Sequence, residues 1–217
     1  AEKFPPLKGG AFFDVGGGNG VVSAALMEAG VHVVLVEPGK NACQIARKRG
    51  VETVVCASTL TANFKPEVMA GVGLFDVVEH IEDDVGFLRS LWESMEPGAP
   101  VYITVPAYRA LWSDEDEYAG HFRRYTQRQL QAVARAAGFE PVFSTTLFRF
   151  LPLPVLLARV IPYRLGFKKK EAVGTEEKIA SDHVMKQGLL SRIMGRLFET
   201  ELTRLRAKKS NRLGGSC

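Results

Sequence analysis

Four glycines fall within five positions, Gly16, Gly17, Gly18 and Gly20, with only Asn19 between them, directly after the apolar run "AFFDV". A loop of that composition lets a ligand lie against the backbone, and the residues around it decide which ligand. The phosphate-wrapping G-x-x-x-x-G-K-[ST] loop is excluded because no Lys-Ser or Lys-Thr follows. The dinucleotide pattern G-x-G-x-x-G fails as well: counted from Gly16, its third glycine falls on Val21. What fits is D-x-G-x-G-x-G, formed by Asp14, Gly16, Gly18 and Gly20. A carboxylate beside a helix N-terminus would repel a pyrophosphate. Asp14 instead suits a cation such as an ammonium, and Glu37, closing the apolar run "VHVVLVEP", suits a pair of ribose hydroxyls. The plainer possibility is that the glycines only make a tight strand-to-helix turn, but two acids in register at neighbouring strand tips argue for a ligand.

A second group of chemistry-bearing residues lies in "DVVEHIEDD", Asp76–Asp84. His80 is the leading proton acceptor, because an imidazole titrates near neutrality unaided. The alternative is that Glu79 and His80 only cap the helix that begins near Asp83. A third group is "GHFRRYT". Its His121 is a further candidate for acid–base work. Arg123 or Arg124 either binds a carboxylate or phosphate of a substrate or pairs with the acidic run Asp114–Glu117. Trp112 and Tyr118 either wall an acceptor pocket or pack beneath it.

These residues need a frame that brings strand tips together. Up to about Phe148 the sequence alternates strand and helix, which predicts an α/β fold: a Rossmann-like, doubly wound and mostly parallel sheet. Strands are expected at 11–15, 31–38, 51–58, 71–75, 101–107 and 140–148. Helices are expected after the glycine loop to Gly30, over 40–50, over 84–95 and from Thr126 to Ala137. Thr126 with Gln129 makes a capping box, and Gly138 stops the last of these helices. Val85, Leu88, Leu91, Trp92 and Met95 share one face of the third. Residues 59–70 read as a loop or short helix. Beyond Phe148 the alternation ends. The apolar stretch 147–167 carries three arginines and three prolines, so it is no clean membrane span. Residues 168–187 are polar, and 189–206 carry a stripe of Leu189, Leu190, Ile193, Met194, Leu197, Phe198, Leu202 and Leu205. The expected organisation is a ligand-binding core over 1–148 and a helical apolar and basic cover over 149–217, within one domain.

With these features assembled, the sequence resembles the class I S-adenosylmethionine-dependent methyltransferases. The carriers are "FFDVGGGNG", "VVLVEP", "DVVEHIEDD" and "VPAYRALWSDEDEYAGHFRRYT", and the last two point to small methyltransferases with a D-V-[IL]-E-H-I-x-D-D block. The resemblance spans about 10–148. It implies S-adenosyl-L-methionine as cofactor, with Gly16–Gly20 close to it and Glu37, followed by Pro38, at the ribose. It also implies Ala57 and Ser58 near the adenine, and Leu74, Phe75 and Asp76 on the methionine side. Related enzymes of ubiquinone biosynthesis and of small-RNA 3′ ends carry E-x-x-E-H and, by that resemblance, a divalent metal. The D-x-x-E-H of Asp76, Glu79 and His80, with His121 as a further ligand, is a weaker version of that site. Relative to the family pattern, a helix before the first strand and a seventh, antiparallel strand are expected to be missing.

The bulk numbers fit a globular enzyme: 217 residues, 46% hydrophobic and 24% charged. Three cysteines are too few for a disulfide framework or a zinc site, and a cytoplasmic setting is expected, with peripheral membrane contact as an option. From Lys168 onward twelve basic residues face six acidic ones, whereas 1–167 hold sixteen against eighteen. The expected activity is methyl transfer to oxygen of a small or lipid-like acceptor. An NAD-linked oxidoreductase is the first rival, but it needs a Tyr-x-x-x-Lys pair, and the only matching spacing, Tyr163 to Phe167, lacks the lysine. An RNA-directed methyltransferase using the basic C-terminal segment is the second, and nucleic acid is disfavoured as a partner.

Overall fold

In the computed structural model, residues 10–58, 64–65, 69–166 and 189–217 are described, the last of these without side chains for 189–194. They fall into two compact units. The first comprises the residues up to Pro106 together with Arg128–Val142, and the second comprises Ala107–Gln127 with Phe143–Cys217.

The first unit is built on a five-stranded parallel sheet, β1 (Ala11–Val15), β2 (Val33–Val36), β3 (Thr53–Val55), β4 (Met69–Phe75) and β5 (Val101–Thr104), in the order β3-β2-β1-β4-β5. β1 and β2 are buried throughout, and β4 nearly so. Such continuous apolar strands are what a parallel sheet covered on both faces requires. The covering helices are α1 (Val21–Glu28), α2 (Lys40–Lys48), α3 (Asp84–Glu93) and α5 (Gln127–Ala136). On α3, Leu88 and Leu91 are buried as the periodicity predicts, and Met95 follows them. Trp92 is half exposed instead and lies over Gly138, where the chain leaves α5.

The strand order reverses at β1, with β2 on one side and β4 on the other. Open α/β sheets hold ligands outside the carboxyl ends of strands at such a switch point. Within β4, Gly73 leaves space for rings. A Cβ there would stand 2.4 Å from the ring of Phe75 and 2.9 Å from that of Phe12. Phe12 in turn stacks on Phe75 at 6.5 Å between centroids and tilts against Tyr102 at 6.0 Å.

In the second unit, α4 (Asp114–Ala119) is short, and α6 (Pro152–Val155) runs on through a π-helical stretch, Leu156–Val160, into α7 (Ile161–Arg164). α8 spans Leu189–Arg206. One expectation changes here. Residues 140–148 form no strand of the sheet. Their backbone turns to 211–216: Thr146 N–H donates to the Asn211 carbonyl, Leu147 N–H to that of Ser216, and Leu147 pairs antiparallel with Ser216. The polar run Ser144–Thr146 suits this, because the Thr146 hydroxyl also donates to the Asn211 carbonyl.

Of the apolar stripe on α8, Leu189, Leu190, Ile193 and Met194 lie outside the residues whose side chains are described, and Phe198 and Leu205 are half-buried. Leu197 and Leu202 are exposed, while Glu201 is buried, because its carboxylate accepts the N–H groups of Phe148 and Arg149. Phe198 does turn inward, edge-on to Phe148 and Phe150. The polar segment expected over 168–187 lies outside the described residues, as does most of 59–70. Cys43, Cys56 and Cys217 form no disulfide with one another.

Candidate cofactor site

Asp14 sits near the end of β1, paired in register with Leu35 and Gly73, and is wholly buried. Its Oδ2 accepts the Ser23 hydroxyl at 2.6 Å, and Oδ1 has no hydrogen-bond partner. Burial pushes its carboxyl above the usual carboxylate range. The Ser23 hydroxyl and N–H oppose this, and the nearby Glu37 charge adds to it.

The glycine loop wraps over this acid. A Cβ on Gly17 would come within 2.7 Å of Asp14 Oδ2, so only glycine lets the loop close on the carboxylate. Gly20 starts α1 at φ +77°, with Ala46 and Val51 each 2.9 Å from where a Cβ would be. Two requirements therefore meet in one residue: a left-handed turn and close packing of α1 on α2.

Glu37 follows β2. Its Oε2 accepts the Gly18 N–H at 3.1 Å and its Oε1 the Gly39 N–H at 2.7 Å. The side chain thus staples the glycine loop to the start of α2, and each oxygen retains a lone pair for a ligand hydroxyl. A cavity of about 320 Å³ lies here, lined by Asp14, Gly16, Gly17, Gly18, Asn19, Val21, Val22 and Phe75. Glu37, Pro38, Ala57 and Ser58 follow the neighbouring strands β2 and β3, and Ala57 and Ser58 are half-buried. Leu74 is fully buried inside the sheet and does not line the cavity, whereas Phe75 does.

At the tip of β4, Asp76 takes a left-handed conformation, φ 55°, its N–H donating to the Thr104 carbonyl and its carboxylate accepting the Thr104 hydroxyl at 3.3 Å. A single 3-10 turn, Val78–His80, follows. Glu79 is buried and His80 exposed, with ligand atoms of the two within 4.8 Å of each other. Glu79 does not cap α3. That task falls to Asp83, whose side chain accepts the Gly86 N–H.

In the second unit, the alternatives for "GHFRRYT" separate. Arg124 grips Asp116 with both arms of its guanidinium, at 2.6 and 3.0 Å. His121 Nδ1 lies 2.9 Å from Asp116 Oδ1, and the Ser113 N–H donates to Oδ2 at 2.9 Å. Burial would raise the Asp116 carboxyl, but the hydrogen bonds from Arg124, His121 and Ser113 outweigh it and hold it below the usual range. Arg124 is therefore a structural partner of the acidic run. Tyr118 is exposed and packs beneath nothing. Sequence reasoning missed Ser23, although Ser23, nine residues after Asp14, falls on the first turn of α1, whereas Asp116 lies in the acidic run that it offered as a partner for Arg123 or Arg124.

A family model described as a methyltransferase domain matches residues 2–143 of this chain. The chain belongs to the methyltransferase-domain family. Its fold is that of the S-adenosylmethionine-dependent enzymes, and S-adenosylmethionine is the cofactor of the family. A solved S-adenosylmethionine-dependent methyltransferase from Archaeoglobus fulgidus has a TM-score of 0.53 at 20% identity, over 64% of this chain and 67% of that one. One from Thermotoga maritima, described as a possible histamine N-methyltransferase, gives 0.52 at 23% identity, over 62% and 66%. At these identities the likeness is one of fold. Among curated proteins, the ubiquinone biosynthesis O-methyltransferase of Vibrio parahaemolyticus is 27% identical over 109 residues, 48% of this chain and 46% of that protein. That of Aliivibrio fischeri is 28% identical over 104 residues, 45% and 44%. The chain thus matches just under half the length of these curated relatives.

Proposed function

We propose that this methyltransferase domain transfers the methyl group of S-adenosylmethionine to an oxygen of a small or lipid-like acceptor. The observation that carries the cofactor half is the cradle at the switch point: a buried acid beneath a glycine loop, with Glu37 stapled alongside to meet a ribose. Asp14 faces the ammonium of the methionine moiety, and Gly16–Gly20 with Asn19 lie along the ligand. Pro38, Ala57 and Ser58 flank the adenosine, and Phe75 and Asp76 border the methionine side.

Oxygen as the accepting atom is supported by the curated relatives named as O-methyltransferases. Methyl transfer from a sulfonium is an in-line displacement whose leaving group comes from the cofactor. The chain positions the acceptor and removes a proton from its hydroxyl. His80, exposed after β4, and His121, oriented by Asp116, are the residues proposed for that proton, with Glu79 beside His80. Glu79 and His80 would also offer ligands to a divalent ion, which would lower the pKa of an acceptor hydroxyl. Activity unchanged by a chelator and by Glu79→Gln would remove the ion from the scheme.

A lipid-like acceptor is supported by the cover. Leu153, Leu157, Ile161 and Leu165, four residues apart, are all exposed. The opposite side of the same helical stretch is fixed by buried Val160, by the Arg159–Glu115 ion pair and by the Tyr163 hydroxyl on Glu117. Lys168, Lys169 and Lys170 follow in the sequence. An aliphatic face ending in a basic run suits an anionic membrane surface. Among the described residues no helix is long and apolar enough to cross a membrane.

The test is a methyl-transfer assay with labelled S-adenosylmethionine against catechol-type, polyprenylated and amine acceptors. Turnover of amines alone would overturn the oxygen assignment, and calorimetric binding of NAD in place of S-adenosylmethionine would overturn the cofactor.

A further inference from the structure

Asp14 presents an unusual economy for a buried carboxylate. It is wholly inside the unit, one oxygen is held by Ser23, and the other oxygen has no hydrogen-bond partner. An ionised carboxylate in such a place is costly unless a charge or donor reaches it. The titratable group that faces it is Glu37, of like sign, across the glycine loop. Ser23 is itself fully buried, and its hydroxyl donates to Asp14 Oδ2.

We propose that Ser23 is a positioning residue that keeps Asp14 oriented and ionisable, and that the cofactor's ammonium pairs with Asp14 and draws its carboxyl toward the anion. The inference rests on the cofactor reading above. In the empty site burial raises the carboxyl above its ordinary value. The arriving ammonium supplies the missing opposite charge, so any proton that Asp14 holds at the working pH leaves to solvent as the ion pair forms. The Ser23 hydroxyl donates to Oδ2 and can do so most strongly to the anion, which tilts the equilibrium toward the form that binds.

The sign follows from linkage. Asp14 titrates above its ordinary value when the site is empty and is drawn below that when the cation is bound. Affinity is therefore full at neutral pH and falls as the solution is acidified through the empty-site value.

The experiment is binding calorimetry on the whole chain, in two buffers of different ionisation heat and from neutral pH down to about pH 5. The ligands are S-adenosylmethionine, S-adenosylhomocysteine and methylthioadenosine, which lacks the amino acid portion. As the solution is acidified toward the empty-site value, wild type should release protons on binding the first two and none on binding the third. Ser23→Ala should bind the first two about tenfold more weakly at neutral pH, with the pH profile moved upward, and bind methylthioadenosine unchanged. Asp14→Asn should bind the first two weakly and release no proton.

An equal loss for all three ligands, with an unmoved profile, would mean that Ser23 only supports the fold, and would overturn the inference. So would proton release in Asp14→Asn matching wild type. Failure of wild type to bind any of the three would instead bring down the cofactor reading itself.

Discussion

The two units each bury an aspartate, and they treat it in opposite ways. Asp116 is saturated: Arg124, His121 and the Ser113 N–H satisfy both its oxygens, and its carboxyl is held low. Asp14 receives Ser23 on one oxygen and nothing on the other, and its carboxyl is driven up. A saturated buried acid holds a fold together, whereas an unsaturated one beside a cavity stores an unmet demand that a ligand can satisfy. The contrast distinguishes the structural acid from the one proposed to bind, without reference to any relative.

The sharpest way to break that contrast is to remove Asp116. Asp116→Ala strands the nearly buried Arg124 guanidinium, and unfolding in urea should show a loss of about 3 kcal/mol. The corresponding loss for Asp14→Asn should be much smaller, since no buried cation is left behind. Gly20→Ala comes next. Its left-handed φ and the contacts with Ala46 and Val51 should together cost about 2 kcal/mol, read from the same denaturation.

Acid titration gives the two aspartates opposite signs. Asp116 has a depressed folded value, so its contribution is present above the unfolded value of 3.8 and is lost as pH falls through the folded value. Asp14 has a raised folded value, so its ionised form costs stability at higher pH. That cost disappears as pH falls toward 3.8. Thermal melts across that acid range should show the advantage of wild type over Asp116→Asn shrinking, while its standing against Asp14→Asn improves. The smallest effect belongs to the aliphatic face of α6 and α7. Replacing Leu153, Leu157, Ile161 and Leu165 with serine should move stability by no more than about 0.5 kcal/mol per site while reducing sedimentation with anionic liposomes. Retained sedimentation would remove the membrane from the proposed function.

The first unit was legible because its signals are local. The spacing of Asp14, Gly16, Gly18 and Gly20 records a turn and a close approach within seven residues, and the alternation of "VVLV" and its neighbours records a buried parallel sheet. The second unit resisted because its partners are distant in sequence. Leu147 answers to Ser216, and Phe148 and Arg149 answer to Glu201; no period in the sequence encodes those pairings. The role of Glu201 on α8 was hidden for the same reason, because the two backbone N–H groups that it accepts lie more than fifty residues away. For "GHFRRYT" the sequence posed the right alternatives, and only the geometry could show that Arg124 serves Asp116.

Gly73 never touches the cavity, yet it governs the cavity's bore. The ring of Phe75 rests where a side chain on Gly73 would be, so it stands back from the opening it lines. A methyl at position 73 would push that ring outward and narrow the entrance from behind, and trimming Phe75 would widen it. The width of the socket can thus be adjusted from inside the sheet, leaving every ligand-facing acid and amide in place.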